Sequence, residues 1–437
     1  MSPEAQSIRP FELPALFREV PNRWAIEPLR NVAKFTTGWT PPTGDDSSYD
    51  GELLWANISD LKTKFIGDTA KTISDAAALR SRIAVSPIGS LLFSFKLSIG
   101  HVAIVAREMY TNEAIATFKD TKSLSMGFSY YALPIWLVQN ANENIYGAKL
   151  LNAQLMRAAK IAVPPLDEQR QIAEYLDRET GKIDELITKQ EQLVATLTER
   201  SQAEIYFAVT KGLDVHVPFK TSGVPWAGSI PNHWTVPRVA HGFVALLGKM
   251  VNEGRTESGV VIEAPYLRAG NVQPYGLDIT EVKRMPFSEA ELRSLEILRG
   301  DLIVVEGGQG GYGRSAIAKS DLRGWAFQNH VMRVRPTGID RNRFLDYVLK
   351  TMRASGFIAS LSSHASLPSF SADKLKSTRY PRPPVDEQDK IIDYLDSTTE
   401  RIDQIVAKSA QTVEILRERR AALISAAVTG KIDVRRL

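Results

Sequence analysis

Two long stretches of this chain place apolar side chains on a heptad, while elsewhere they gather in short runs broken by glycine and proline. In the first stretch Ile172, Leu176, Ile183, Leu186, Leu193 and Leu197 recur at spacings built from three, four and seven, and in the second Ile391, Leu395, Ile402, Ile405, Leu416 and Leu423 do so. So narrow a seam predicts a helix that packs against one other helix. Pro164-Pro165 and Pro383-Pro384 supply rigid starts where a missing amide costs nothing. Asp167-Glu168 and Asp386-Glu387 complement the positive end of the helix dipole, which accounts for these carboxylates without an acid-base site. Gly212 and Gly430 close the helices. Forty-odd residues at 1.5 Å each make a rod of roughly 60 Å. It cannot bury its seam against itself, and its simplest partner is the other copy, lying antiparallel.

The two stretches are copies of one unit. "PPLDEQRQIAEYLD" begins at Pro164 and "PPVDEQDKIIDYLD" at Pro383, an offset of 383 − 164 = 219 positions, and the match runs ungapped to "VTKGLD" (209–214) against "VTGKID" (428–433). The preceding segments correspond more loosely: "VPNRW" (20–24) with "IPNHW" (230–234), "WANISD" with "LRAGNV", "GSLLFS" with "GDLIVV", and "SIGHVAIV" with "GYGRSAIA". The last of these pairs Gly100 with Gly313.

The run "DLIVV" (301–305) is followed by "GGQGGYG", with Gly308, Gly310 and Gly313 at G-x-G-x-x-G spacing. A dinucleotide cradle needs a helix opening on the third glycine and an acid about 20 positions after the motif opens. "RSAIAKSDLRGWAF" has no helical period, and position 328 is Gln. A glycine-rich turn is the better reading, and a cofactor site is not expected in only one of two equivalent domains.

A chain of 437 residues, 43% hydrophobic and 24% charged, suits two or three globular domains. No signal peptide or long apolar window is evident, which places it in the cytoplasm. With no Cys, disulfides, thiolate zinc sites and cysteine nucleophiles are excluded, and no two of the six His share a short ligand spacing. The net charge of +4 decides little, but its distribution is uneven. Residues 299–353 hold ten Lys or Arg (299, 314, 319, 323, 333, 335, 341, 343, 350, 353) against five acids (301, 306, 321, 340, 346). This is the footprint of phosphate contact, or else a solvated basic face.

The repeated "PP-[LV]-DEQ" helices, the "SGVPWAGSIPNHW" segment (222–234) and the "GDLIVVEGG" and "GYGRSAIA" strands resemble the specificity subunits of type I restriction-modification systems, from Val20 to Val434. The first half departs from the pattern, with "REVPNRW" after a 19-residue leader. The resemblance implies an α+β fold: two globular target-recognition domains separated by two long helices that form an antiparallel coiled coil, a pseudo-twofold internal repeat. The expected divisions are 1–163 (N-terminal segment and first recognition domain), 164–215 (central helical region), 216–382 (second recognition domain) and 383–437 (C-terminal helix).

The resemblance further implies a non-catalytic subunit that reads a bipartite target in double-stranded DNA. Two modification (methyltransferase) subunits and the restriction (endonuclease/translocase) subunits would be its partners, with no membrane. No cofactor or metal is expected on this chain, whereas S-adenosylmethionine, ATP and Mg2+ belong to the partners. In agreement, the sequence has no Asn-Pro-Pro-Tyr or Asp-Pro-Pro-Tyr motif and no G-x-x-x-x-G-K-[ST] loop.

Base readers need paired donors and acceptors. The candidates are Lys62, Lys64, Lys96, His101 and Lys119 in the first domain, and Arg268, Asn271, Gln309, Tyr312, Arg314, Gln328, Asn329, His330 and Arg333 in the second. The glycines around Gln309, Tyr312 and Arg314 would let the backbone approach a groove while those side chains project. Two other readings stand beside this one: a coiled-coil scaffold that joins proteins without reading DNA, and a self-sufficient methyltransferase resting on the glycine spacing alone.

Overall fold

A computed structural model describes residues 17, 20–42, 44–49, 51–96, 98–143, 149–250, 261–308, 311–362 and 368–436. The chain forms two compact units, Met1–Gln190 with Gln411–Leu437, and Glu191–Ala410.

The central sheet of the first unit has the order Phe35–Thr37, Ile115–Phe118, Leu91–Ser94, Val102–Val105, Phe65–Ile66. Beside it runs a small sheet of Lys71–Ile73, Leu53–Ala56 and Tyr110–Thr111. The second unit repeats both orders apart from the fifth strand, Phe65–Ile66, which has no counterpart: Phe243–Leu247, Val331–Pro336, Leu302–Val305, Ser315–Ile317, and Lys283–Ser288, Val261–Leu267, Ala326–Phe327. Apart from "VPNRW" and "IPNHW", the paired landmarks fall on equivalent strands, and Gly100 and Gly313 both take positive φ, 94° and 76°. A side chain at 313 would also lie 2.8 Å from Ile358. The residues after Gly313 form a strand, so no helix opens on the third glycine and the nucleotide reading fails on structure.

Each central sheet is covered by one helix. Met126–Val138 is capped by Ser125, whose Oγ accepts from Phe128 N, and it buries Phe128, Leu133 and Trp136. Asn342–Ala354 buries Phe344, Tyr347 and Met352 in the second unit. Phe17, from the leader, stacks on Trp136 with centroids 4.8 Å apart.

The long helices are Leu166–Lys211 and Val385–Val428, 46 and 44 residues. In the first unit the start of one meets the end of the other: Arg420 donates to Asp184 at 2.8 Å, and Tyr175, Leu423 and Ile424 join the core around Ile172 and Leu176. In the second unit the opposite ends meet, with Tyr394 donating to Glu204 at 2.9 Å and Ile391 and Leu395 sharing a core with Ile205 and Val209. This is the expected antiparallel sense.

The seam itself needs a correction. Ile172, Leu176, Ile183, Ile391, Leu395 and Ile402 are buried, and Leu197, Leu416 and Leu423 are half-buried. Leu186, Leu193 and Ile405, however, are 48%, 40% and 46% exposed. The covered positions run Ile183, Ile187, Gln190, Val194, Leu197 in one helix and Ile402, Val406, Ser409, Val413, Leu416 in the other. Polar residues occupy seam sites at Thr180, Gln190, Thr399 and Ser409, so a reading confined to apolar residues slips to a neighbour. One position is a rotation of about 100° on a helix of 3.6 residues per turn.

This phase is testable by charge placement. Ile187→Asp should cost about 2 kcal/mol or more, since it puts a carboxylate in the seam, whereas Leu186→Asp should stay within about 0.5 kcal/mol, as exposed substitutions do. Urea denaturation of the two variants measures the difference.

Candidate nucleic-acid interface

The side chains of the two "DEQ" triplets fasten each recognition module to a long helix. Glu168 accepts from Arg23 Nε and Nη2 at 3.1 and 2.6 Å, which holds the guanidinium above its ordinary pKa. Glu387 takes the equivalent lead-in, accepting from Trp234 Nε1 at 3.0 Å and bonding His233 Nε2 at 2.8 Å. The closing glycines complete the joint: a Cβ at Gly430 would run into the ring of Pro21, and one at Gly212 would sit 3.2 Å from Trp234. Gln169 and Gln388 are buried, and each donates to the carbonyl of the first proline of its pair, at 2.9 and 3.0 Å. Their amide oxygens accept from the backbone N–H of Ser125 and Arg341, where the two covering helices begin.

Farther along each long helix is a second repeated contact. Tyr131 donates to Asp177 at 2.5 Å and touches Thr180, and Tyr347 donates to Asp396 at 2.6 Å and touches Thr399. Burial, with the carboxylate adding to it, pushes both phenols well up. A cation closes each cluster, Lys64 on Asp177 and Arg343 Nε on Asp396. None of these contacts is legible as a motif, because the partners lie tens of residues from the triplets.

On this frame the second unit gathers three loops. Gln328 N donates to Leu267 O at 3.0 Å, Glu306 N to His330 O at 2.9 Å, and Arg314 Nη2 to Ala269 O at 3.3 Å. These bonds bring the loops that carry Arg268, Arg314, Gln328, Asn329 and His330 together. His330 is exposed; Arg268, Gln328, Asn329 and Tyr312 are half-buried. Gln309 lies outside the described residues.

Three of the predicted readers are committed to structure instead. Asn271 is buried, its Nδ2 donating to Asp278 O and Glu281 O and its Oδ1 accepting from Arg268 N. Arg333 is only 8% exposed because Val331–Pro336 lies between two strands; it donates to Glu296 O, and burial lowers its pKa. Lys64 is held by Asp177 and by the rings of Tyr130 and Tyr131, 5.3 and 5.2 Å away. Arg314 does not project either. It folds under the loop, where a Cβ at Gly311 would come within 2.8 Å of its Nη2.

The basic run 299–353 is partly spent in the same way, while Arg299, Lys319 and Arg323 stay exposed. Arg335 pairs with Asp301, Arg341 with Asp389, Arg343 with Asp346 and Asp396, and Lys350 with Asp346. Asp389 and Asp396 lie beyond the counted segment, which is why the count overstated the patch. Two residues of the loop cluster were missed by sequence reasoning. Gln273 faces Arg314 Nη1 at 3.5 Å. Glu306 has its pKa raised by burial, with His330 opposing the shift.

In the first unit Lys62, Lys96 and His101 are exposed on the corresponding turns, and Lys119 is exposed at the end of Ile115–Phe118. Among the described residues no group of three or more His, Asp or Glu is placed to hold a metal ion. No described helix is long and apolar enough to cross a membrane.

A family profile described as "Type I restriction modification DNA specificity domain" matches residues 21–195 and 253–414. The chain belongs to this family. Relatives within it include the Type I restriction enzyme MjaIX specificity subunit of Methanocaldococcus jannaschii, 21% identical over 36% of this chain, and the EcoKI specificity subunit of Escherichia coli, 24% identical over 47%. The EcoBI specificity subunit of Escherichia coli is 23% identical over 64% of this chain. The chain spans 38%, 45% and 62% of these three relatives. A solved chain from work on complex assembly and conformational transition of the type I R-M system shares the fold, with TM-score 0.69 and 15% identity, covering 94% of this chain and 99% of that one.

The contacts of Asp396 and Glu306 each carry a measurable outcome. Asp396→Ala should destabilise the second unit by about 1–2 kcal/mol through loss of charge-assisted bonds to Tyr347 and Arg343, and leave hydrogen exchange in the first unit unchanged. Glu306 should behave as a group whose folded pKa exceeds its unfolded one: the stability it contributes is present at low pH and is lost as pH rises past the usual carboxylate range. Glu306→Gln should therefore be relatively more stable than the parent at neutral pH than at pH about 4, as thermal melts across that range would register.

Proposed function

We propose that the chain is the DNA-recognition subunit of a type I restriction-modification complex. Each unit reads one half of a bipartite target, and the modification and restriction subunits act where this chain places them. The observation that carries the proposal is the repetition: one topology occurs twice, each copy presents equivalent loops, and each is fastened to the paired helices by the same Gln and Tyr–Asp contacts. Phosphate contacts position a reader, and base edges give it specificity. In the second unit the half-buried and exposed polar residues Arg268, Gln328, Asn329 and His330 are suited to the second task; Lys62, Lys96 and His101 are their counterparts in the first. Gln309 and Tyr312 belong to the same set on sequence grounds.

In this reading the chain is not catalytic. S-adenosylmethionine, ATP and Mg2+ work on the partner subunits, and the complex operates in the cytoplasm. A scaffold that joins proteins would not need two matched loop clusters.

Exchanging residues 231–382 for the same region of a relative should change one half of the methylated sequence and leave the other half intact, as mapping of methylated adenines would show; a simultaneous change in both halves would sink the two-reader reading. The helices should set the spacer. One heptad added to each of them, after Gln190 and after Ser409, keeps the seam in phase and adds about 10.5 Å. The preferred spacer should lengthen by up to about three base pairs. Purified chain alone should turn over no S-adenosylmethionine.

A further inference from the structure

Lys119 and Arg335 occupy equivalent places, one position past the strand residues Phe118 and Val334, which pair with Leu91 and Leu302. Arg335 is neutralised by buried Asp301, with contacts at 2.5 and 2.6 Å. The residue matching Asp301 in the first unit is Ser90, also buried, and its hydroxyl has no partner. Lys119 is thus left without the counter-charge that its counterpart has.

The surroundings sharpen the contrast. Lys119 lines a cleft of about 610 Å³ with Arg30, Lys34 and Lys122, and no acid lines it. None of these four side chains has a hydrogen bond or ion pair with a described residue. Two acids border the cleft and neither pairs with its cations: Glu27 accepts from Asn31, a lining residue, at 2.9 Å, and Asp120 accepts from the N–H of Met126 at 2.6 Å. Phe35 lines the cleft, and Arg157, which does not line it, lies over the Phe35 ring at 5.1 Å. The cleft follows Phe35–Thr37, an edge strand of the central sheet. Hydroxyls and an open strand edge beside lysine and arginine suit phosphate oxygens.

We infer that this cleft binds the phosphodiester backbone of nucleic acid, and that the first unit supplies a grip independent of sequence which the second withholds by pairing Arg335 with Asp301. The inference rests on the DNA-recognition reading above and adds to it where the backbone is held. It commits to a strand rather than a single nucleotide, because the cations line the rim of an open cleft and do not enclose a pocket.

The test uses the full chain carrying Lys34→Glu and Lys119→Glu, with folding checked by circular dichroism, and measures affinity for a duplex as a function of salt. Each lost phosphate contact lowers the slope of log K against log salt by about 0.9, so the double variant should lose about two from the slope and bind about tenfold or more weakly at low salt. The ratio between target and unrelated duplex should not change, because Lys119, a base-reader candidate by sequence, is assigned here to the backbone instead. Ser90→Asp gives a second route: by supplying the acid that the other unit has, it should lower the slope by about one without touching the surface. If the unaltered chain binds duplex and both variants keep its slope, the cleft is not the backbone site, and DNA recognition stands. If the unaltered chain binds no duplex at low salt, both readings fall.

Discussion

A primary amide buried without partners is costly, and at the head of each long helix one is buried with all of its needs met. Gln169 and Gln388 bond at once to the proline pair that starts their own helix and to the backbone where the covering helix begins. Because the two amides are buried, a shift of either element strands a polar group at about 1–3 kcal/mol. The geometry of each module on its helix is thereby fixed to within hydrogen-bonding tolerance. The Tyr–Asp contact a few turns on removes the remaining freedom to pivot.

Charge obeys a similar constraint. The second unit is rich in arginine, and its acids are set against part of that charge: Asp301, Asp340 and Asp389 hold Arg335, Arg382 and Arg341, and Asp346 and Asp396 share Arg343. Arginines bound this way knit strands and helices together and are poorly available to a phosphate. Net charge along a segment is therefore a weak guide to where a polyanion docks; the deciding question is whether each cation already has a partner in three dimensions.

The repeat was the most legible feature of the sequence, since an ungapped offset needs no structure to be seen, and the strands at "GSLLFS" and "GDLIVV" followed from it. The seam phase was only half legible. Thr180 and Thr399 turn their hydroxyls back to the carbonyls of Leu176 and Leu395 and so pass for apolar residues, which a search for leucine and isoleucine cannot detect. Among the site residues, Arg333 and Asn271 were misjudged because their chemistry suits base recognition and backbone support equally well. Only burial distinguishes the two, and burial depends on which strands flank them. The Ser90 and Asp301 difference lay in plain view within an aligned pair, but its meaning required knowing what stands across the sheet.

The first unit is built from both ends of the chain, residues 1–190 and 411–437, while the second is continuous from 191 to 410. During synthesis residues 1–190 leave the ribosome first, and residues 411–437 of the same unit follow only after the whole of 191–410. The core around Trp24 and Leu176 stays open until Ala427 and Val428 arrive to cover it. The half of the molecule made first is then the last to close, and exposed apolar surface in that interval is a hazard of chains that fold unit by unit. A chain cut short before residue 411 would keep every residue of the second unit and lose part of the first unit's core, so damage to the distal helix falls on the half that was made first.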